Sequence, residues 1–345
     1  MLAGTWEVDR TALRGRDELD AEWRLGTTAS GLDLKSGAVA LGQAGERLAC
    51  DGVVVATGAS VRMLPGTPKL DGVFVLRTLD DCLALRAAFE TGPPVVVIGA
   101  GFIGSEVAAT AHGLGLDVTV LEALPVPLER VLGAEMGAIC GHLHTDNGTD
   151  LRLSAGVSAF QTENGRVIGV DLTDGTVVPA EVVVVGIGVV PNTGWLDGSG
   201  LTIDNGVVCD DRCRAIGGGG RVVAAGDLAR WPNPLFGDQM RIEHWTNAAE
   251  QGRAAALGLL HGDAAPPYAP VPYFWSDQYG SKIQYVGHAG PGDEVQVVEG
   301  GIDDGKFVAT YSRAGRVMAA LILNWPAKMV AYQRLIAEQA PASSA

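Results

Sequence analysis

Pro94-Val95-Val96-Val97-Ile98-Gly99-Ala100-Gly101-Phe102-Ile103-Gly104-Ser105-Glu106 joins a β-branched strand to a Gly-x-Gly-x-x-Gly turn and then to an Ala-rich segment suited to a helix. This is the order a dinucleotide-binding turn requires. Gly99 permits the tight turn, Gly101 lets the backbone approach a pyrophosphate, and Gly104 lets the helix pack on the strand, while the helix N-terminus faces the phosphates. Phe102 and Ile103, inside the same turn, are assigned to the cofactor with the glycines. A second strand, Leu116–Leu121, ends at Glu122, which lies 122 − 99 = 23 residues beyond Gly99, where an acidic ribose ligand belongs. A carboxylate there accepts from both hydroxyls of the ribose and repels a 2′-phosphate, and no Arg follows it until Arg130. NADH is therefore favoured over NADPH.

The 345-residue chain has room for two or three domains. With 25 Lys and Arg against 40 Asp and Glu, its net charge of −15 argues against nucleic acid and anionic membranes as general partners. No stretch reads as a signal peptide, and the longest apolar run, Val182 to Val190, is too short to span a bilayer. Cys50, Cys82, Cys140, Cys209 and Cys213 form an odd, scattered set, which points to free thiols in a reducing cytoplasm. Cys209 and Cys213 lack the spacing of a redox dithiol and a nearby His for zinc. His142 and His144 would face different sides of a helix, so no metal site is expected.

The first fifty residues read as short strands at 31–34, 38–41 and 47–49. A buried strand follows, Asp51-Gly52-Val53-Val54-Val55-Ala56-Thr57-Gly58, and then a helix over 78–90. Beyond Glu122 a helix is expected over 133–147, strands over 151–160 and 166–172, and a second buried strand at Glu181-Val182-Val183-Val184-Val185-Gly186-Ile187-Gly188. At an offset of 130, Gly45 matches Gly175, Asp51 matches Glu181, Val53–Val55 match Val183–Val185, and Gly58 matches Gly188. The chain thus reads as two copies of one nucleotide-binding plan. Gly99 lies 181 − 99 = 82 residues before Glu181, so the same distance from Asp51 puts the first copy's fingerprint about thirty residues upstream of Met1.

Arg221-Val222-Val223-Ala224-Ala225-Gly226-Asp227 is a strand ending on small residues and an Asp. It suits a second dinucleotide site, where Asp227 accepts from a polyol hydroxyl, and it equally suits an ordinary turn. Arg241-Ile242-Glu243-His244-Trp245-Thr246-Asn247-Ala248 leads into a helix to about residue 260, and Ala264-Ala265-Pro266-Pro267 marks a boundary. The final segment carries Tyr273-Phe274-Trp275-Ser276-Asp277-Gln278-Tyr279, strands at 283–286, 294–298, 306–311 and 316–323, a helix at 326–338, and a frayed end at 339–345.

Taken together, Ala56-Thr57-Gly58, the run from Gly99 to Glu106, Gly186 to Asn192, Ala224 to Asp227, Glu243 to Ala248 and Phe274 to Tyr279 resemble the FAD-dependent pyridine nucleotide-disulfide oxidoreductases. Within them they are most similar to the ferredoxin, rubredoxin and putidaredoxin reductases. The resemblance implies an α/β fold with two Rossmann-like domains and a C-terminal α+β domain. The FAD domain, at 1–66 and 191–264, is interrupted by an NAD(H) domain at 67–190, and 265–338 forms the C-terminal interface domain. It implies FAD and NADH as cofactors, with electrons passing from NADH through FAD to a ferredoxin-type [2Fe–2S] protein or a rubredoxin, in a monomer or homodimer. By position, Ala56, Thr57, Gly58, Gly188, Gly226 and Asp227 would serve FAD, Glu243, His244 and Trp245 would border the flavin and nicotinamide, Trp275 would lie near the isoalloxazine, and Glu106 would orient the nicotinamide. The flavin does the chemistry, so neither a triad nor a metal is expected.

One departure stands out. Family members begin with their own glycine fingerprint for FAD, followed by a Pro-Leu-Ser-Lys segment, and Met1-Leu2-Ala3-Gly4-Thr5-Trp6 resembles the residues just after that Lys. The FAD site is expected to be incomplete and its sheet to expose apolar surface. Two alternatives remain open: a related oxidoreductase with another acceptor (NADH oxidase, CoA-disulfide or nitrite reductase type), or an NAD(H)-binding remnant without activity.

Overall fold

The computed structural model describes residues 1–13, 19–43, 45–67 and 69–339. Its centre is a five-stranded parallel sheet in the order Val73–Phe74, Val182–Val185, Val95–Ile98, Val118–Leu121, Asp150–Arg152. Both four-residue strands Val95–Ile98 and Val182–Val185 are buried along their whole length. Continuous β-branched runs behave this way because a parallel sheet has both faces covered. The alternation of side chains divides the work: Val95, Val97, Val182 and Val184 pack under helices α1 (Leu79–Phe89) and α2 (Phe102–Gly113). Val96, Ile98, Val183 and Val185 point the other way, onto Val167, Val170, Leu172 and Val178 of an antiparallel sheet. Each such valine contributes about 1.5 kcal/mol or more by leaving water.

That antiparallel sheet, Val157–Glu163, Arg166–Leu172 and Val177–Pro179, precedes the Val182–Val185 strand. A second one, Ala29–Asp33, Ala38–Leu41 and Glu46–Ala49, precedes the Val53–Val55 strand in the same way. Adding 130 to 29, 38, 46 and 53 gives 159, 168, 176 and 183, which fall in or one residue before the corresponding strands of the later copy. The repeat read from two valine strands therefore extends over a whole meander. The copies differ at one edge. Val182–Val185 pairs on both sides, whereas Val53–Val55 pairs only with Val222–Ala224 among the described residues. Val54 is 47% exposed, while its counterpart Val184 is 1% exposed. The expected open apolar surface lies here.

The C-terminal sheet is antiparallel, in the order Tyr273–Gln278, Ser281–Gly287, Arg316–Leu323, Lys306–Arg313, Glu294–Gly301. One face carries α5 (Met329–Ala337), with Tyr332 and Ile336 against Val286, Val308 and Ile322. The other face lies on α3 (Glu129–Asp146), where Leu132, Met136 and Cys140 meet Ile283, Phe307 and Leu321. α4 spans Trp245–His261. Several element limits differ from expectation, three of them through a change of backbone geometry; the strand expected over 51–58 is also only Val53–Val55, and the one expected at 294–298 runs to Gly301. Helix α3 starts at Glu129 rather than 133, but Gly133 at φ 72° interrupts it, so the regular helix still follows that glycine. The strand expected over 151–160 is two, because Ser154 (φ 54°) turns the chain out of the parallel sheet. The last helix opens with a 3-10 turn at Pro326–Lys328. Of the expected frayed end, 340–345 lies outside the described residues.

Candidate functional site

The Val95–Ile98 strand delivers the glycine turn to the C-terminal edge of the parallel sheet. Gly99 has φ 102°, and a Cβ there would stand 2.5 Å from the Gly186 carbonyl oxygen. A Cβ on Gly104 would overlap the Gly99 carbonyl oxygen, so both positions require glycine for packing. Gly101 is different: nothing lies within 4 Å of where its Cβ would be. It faces open space as the N-cap of α2 and contributes no capping side chain, which leaves the first N–H groups of the helix free for an anion. Glu122 stands beside this turn, accepting from the Ala100 N–H (Oε2, 2.8 Å) and the Leu124 N–H (Oε1, 2.9 Å). Its carboxylate thus braces the turn as well as presenting charge to it, a role spacing alone does not reveal. A carboxylate has acceptor capacity beyond these two bonds. The turn fits the adenosine and pyrophosphate of NADH.

One turn into α2, Glu106 accepts a 2.6 Å hydrogen bond from the Ser276 hydroxyl. Burial raises its pKa; the Ser276 hydroxyl and Asp277 N–H bonds oppose that shift. Ser276 belongs to the Tyr273–Gln278 strand, which also reaches α4, since the Thr246 hydroxyl donates to the Tyr273 carbonyl at 2.8 Å. Trp275, on the opposite side of the strand from Ser276, stacks on Tyr273 and is 44% exposed. Trp245, at the start of α4, is 67% exposed, and Ile103 is 52% exposed.

The second carboxylate, Asp227, follows the Val222–Ala224 strand with its side chain 13% exposed and ion-paired at 2.6 Å to Arg77. Arg77 also donates from Nε to the Ala59 carbonyl and lies over Gly58, which has φ 62°. Sequence reading missed Arg77. Its only local signal was its place just before the Thr78 cap of α1. The Gly226 N–H donates to buried Gln251, and Arg241 donates to the Asp227 carbonyl and pairs with Glu243. Ala56, Thr57 and Gly58 are stitched to the crossing strand after Gly188 through Asn192, which donates to the Thr57 carbonyl at 2.9 Å while the Thr57 hydroxyl donates to the Asn192 carbonyl at 2.8 Å. Gly188 itself (φ 98°) accepts from the Arg62 N–H in that crossing. Asp227, Arg77 and Gly58 form a polar cradle that fits part of a flavin dinucleotide.

Glu243 and His244 line a cavity of about 640 Å³ where α3, the Asp238–Arg241 strand and the C-terminal sheet meet, with Arg130, Phe274 and Tyr285 on its walls. His244 packs on Phe274 at 4.8 Å between ring centroids, and burial lowers its pKa to about 4. His244 Nδ1 and Arg241 Nε are buried and have no protein partner. Orphaned polar atoms in a cavity are costly unless a ligand or water meets them. Elsewhere, Cys209 and Cys213 are buried free thiols; burial pushes Cys213 up to about 12 and Cys209 higher still. No helix among the described residues is long and apolar enough to cross a membrane.

Residues 6–252 match the pyridine nucleotide-disulphide oxidoreductase family and residues 273–345 match the reductase C-terminal family. The chain is 39% identical to rhodocoxin reductase of Rhodococcus erythropolis, over 84% of this chain and 67% of that protein. It is 38% identical to the ferredoxin--NAD(+) reductase component of the anthranilate 1,2-dioxygenase system of Burkholderia cepacia, over 92% of this chain and 79% of that one. Its fold superposes on the reductase of the covalent putidaredoxin reductase–putidaredoxin complex with a TM-score of 0.92 and 32% identity, covering 99% of this chain and 82% of that one. An α/β chain with a nucleotide turn, a second polar cradle and a reductase C-terminal sheet, it belongs to the pyridine nucleotide-disulphide oxidoreductase family.

Proposed function

We propose that this chain passes electrons from NADH through FAD to a ferredoxin, and that the acceptor is of the [2Fe–2S] type, in the cytoplasm. The observation that carries the reading is the Tyr273–Gln278 strand. It bonds to α2 through Ser276 and to α4 through Tyr273, so one strand of the C-terminal sheet spans both candidate nucleotide sites. The family and the names of the relatives support the electron-transfer class.

FAD, when bound, supplies the conversion between a two-electron hydride and single electrons. The chain's residues bind and orient. Gly99, Gly101, Phe102, Ile103 and Gly104 receive the NADH pyrophosphate, and Glu122 holds the ribose. Glu106 orients the nicotinamide. Asp227, with Arg77 and the Ala56–Gly58 turn, holds the flavin dinucleotide, and Glu243, His244 and Trp245 border the ring. Trp275 would lie near the isoalloxazine ring of the bound flavin. In this reading, residues 1–66 and 191–264 make the flavin part, 67–190 the NADH part and 265–338 the interface part.

To test this, the purified chain is incubated with FAD, desalted and mixed anaerobically with NADH and a plant-type [2Fe–2S] ferredoxin. Bleaching of the ferredoxin that requires the chain, FAD and NADH together is expected. Reduction of ferricyanide without reduction of the ferredoxin under the same conditions refutes the proposed acceptor.

A further inference from the structure

Ser105 and Glu106 are consecutive on α2, and both are tied to the chain segment that begins the C-terminal sheet. Ser276 is fully buried, and its hydroxyl has two neighbours. Gln278 Nε2 donates to it at 3.0 Å, and it donates to Glu106 Oε1 at 2.6 Å. A hydroxyl has one proton. With Gln278 supplying a donor from one side, that proton is directed at the carboxylate. The Asp277 N–H on the same strand also opposes the rise that burial imposes on the Glu106 pKa. A separate tie fixes the strand's far end: Tyr279 (φ 51°) meets His144 Nδ1 at 2.8 Å and donates to Thr149 at 3.0 Å, and His144 Nε2 meets the Ser105 hydroxyl at 3.1 Å. Helix α2 and this strand are therefore registered at two points. The strand's alternation leaves Trp275 exposed and puts Ser276 on Glu106, so one backbone position sets both.

We propose that Ser276 is a positioning residue for nicotinamide binding: it holds one oxygen of the Glu106 carboxylate and leaves the carboxylate's remaining acceptor sites for the nicotinamide carboxamide. This rests on the reading that Glu106 meets the nicotinamide. Without the hydroxyl, the carboxylate loses a charge-assisted bond and samples other rotamers, and the nicotinamide end of the ligand is held less well. The adenosine end, bound by Glu122 and the glycine turn, is unaffected.

The test compares two ligands by calorimetry on the flavin-loaded chain: tetrahydro-NADH, which carries the ring but gives up no hydride, and ADP-ribose, which lacks the ring. The ratio, the dissociation constant for ADP-ribose divided by that for tetrahydro-NADH, isolates the nicotinamide end. Ser276→Ala is expected to lower that ratio roughly five- to tenfold and leave ADP-ribose affinity unchanged, while Ser276→Thr stays within about twofold of the parent. Glu106→Gln is expected to lower the ratio, and the double variant Ser276→Ala/Glu106→Gln to fall no further than Glu106→Gln alone. Equal weakening of both ligands by Ser276→Ala would show a general packing role and overturn the proposal, as would full additivity in the double variant. If Glu106→Gln leaves the ratio intact, the reading of Glu106 fails first, whatever Ser276→Ala does.

Discussion

His144 makes the stability of this chain depend on pH in a direction that can be worked out. It lies on α3, 1% exposed, between the Ser105 hydroxyl and the Tyr279 hydroxyl, and burial lowers its pKa from 6.5 to about 4. Because the folded pKa is depressed, the unfolded chain binds the proton more tightly. The neutral folded form is favoured above pH 6.5, and stability is lost as pH falls from 6.5 towards 4. Shifting one histidine from 6.5 to about 4 costs about 2 kcal/mol between pH 7 and pH 5. The control is His144→Gln, whose amide offers a donor and an acceptor but does not titrate. Urea unfolding at both pH values should show the parent losing about 2 kcal/mol more than the variant, whatever the variant's own stability. Parallel pH dependences for the two proteins would refute the reasoning.

Three further outcomes follow from the geometry. Gly104→Ala drives a Cβ into the Gly99 carbonyl, a backbone atom that cannot swing aside; a loss of about 3 kcal/mol and of NADH affinity is expected in urea unfolding and ligand titration. Glu122→Gln removes the charge but keeps an amide oxygen for the Ala100 or Leu124 N–H, so the preference for NADH over NADPH should fall about tenfold, read from the two dissociation constants. Val54 and Val184 are repeat counterparts in different settings, 47% and 1% exposed; Val184→Thr should cost about 1–3 kcal/mol and Val54→Thr less than about 0.5 kcal/mol.

The glycine turn and the Val182–Val185 strand were legible because each is fixed by local chemistry, a turn needing glycine and a strand covered on both faces, whereas the Val53–Val55 strand, expected to be buried, pairs on one side only among the described residues and leaves Val54 47% exposed. The repeat was legible for the same reason, and the two meanders at an offset of 130 extend it. Arg77 was not. Nothing in Leu76-Arg77-Thr78 announces a partner 150 residues away, and only the crossing of the two sheets brings its guanidinium to Asp227. His144 was read as a residue on an ordinary helix, with no ligand in view. Its pairing with Ser105 and Tyr279 depends on how α2, α3 and the C-terminal sheet pack, which spacing along α3 does not encode.

The same distinction explains why the Phe274-Trp275-Ser276 segment matters more in the fold than in the sequence. Read along the chain, it is an aromatic patch with a serine in it. In the fold, alternation along a strand assigns opposite tasks to neighbours: Phe274 packs on Phe102 and His244, Trp275 is left exposed, and Ser276 is sealed against Glu106. Moving the register by one residue would bury the Trp275 ring and expose the Ser276 hydroxyl, and Glu106 would lose its partner. The pairing of Tyr273–Gln278 with Ser281–Gly287, joined by Tyr279 and Gly280 with φ of 51° and 78°, resists that slip at the hairpin, and the Tyr279–His144 contact pins it from outside the sheet. If Glu106 meets the nicotinamide as proposed, the register of the C-terminal sheet is therefore part of what sets the NADH site.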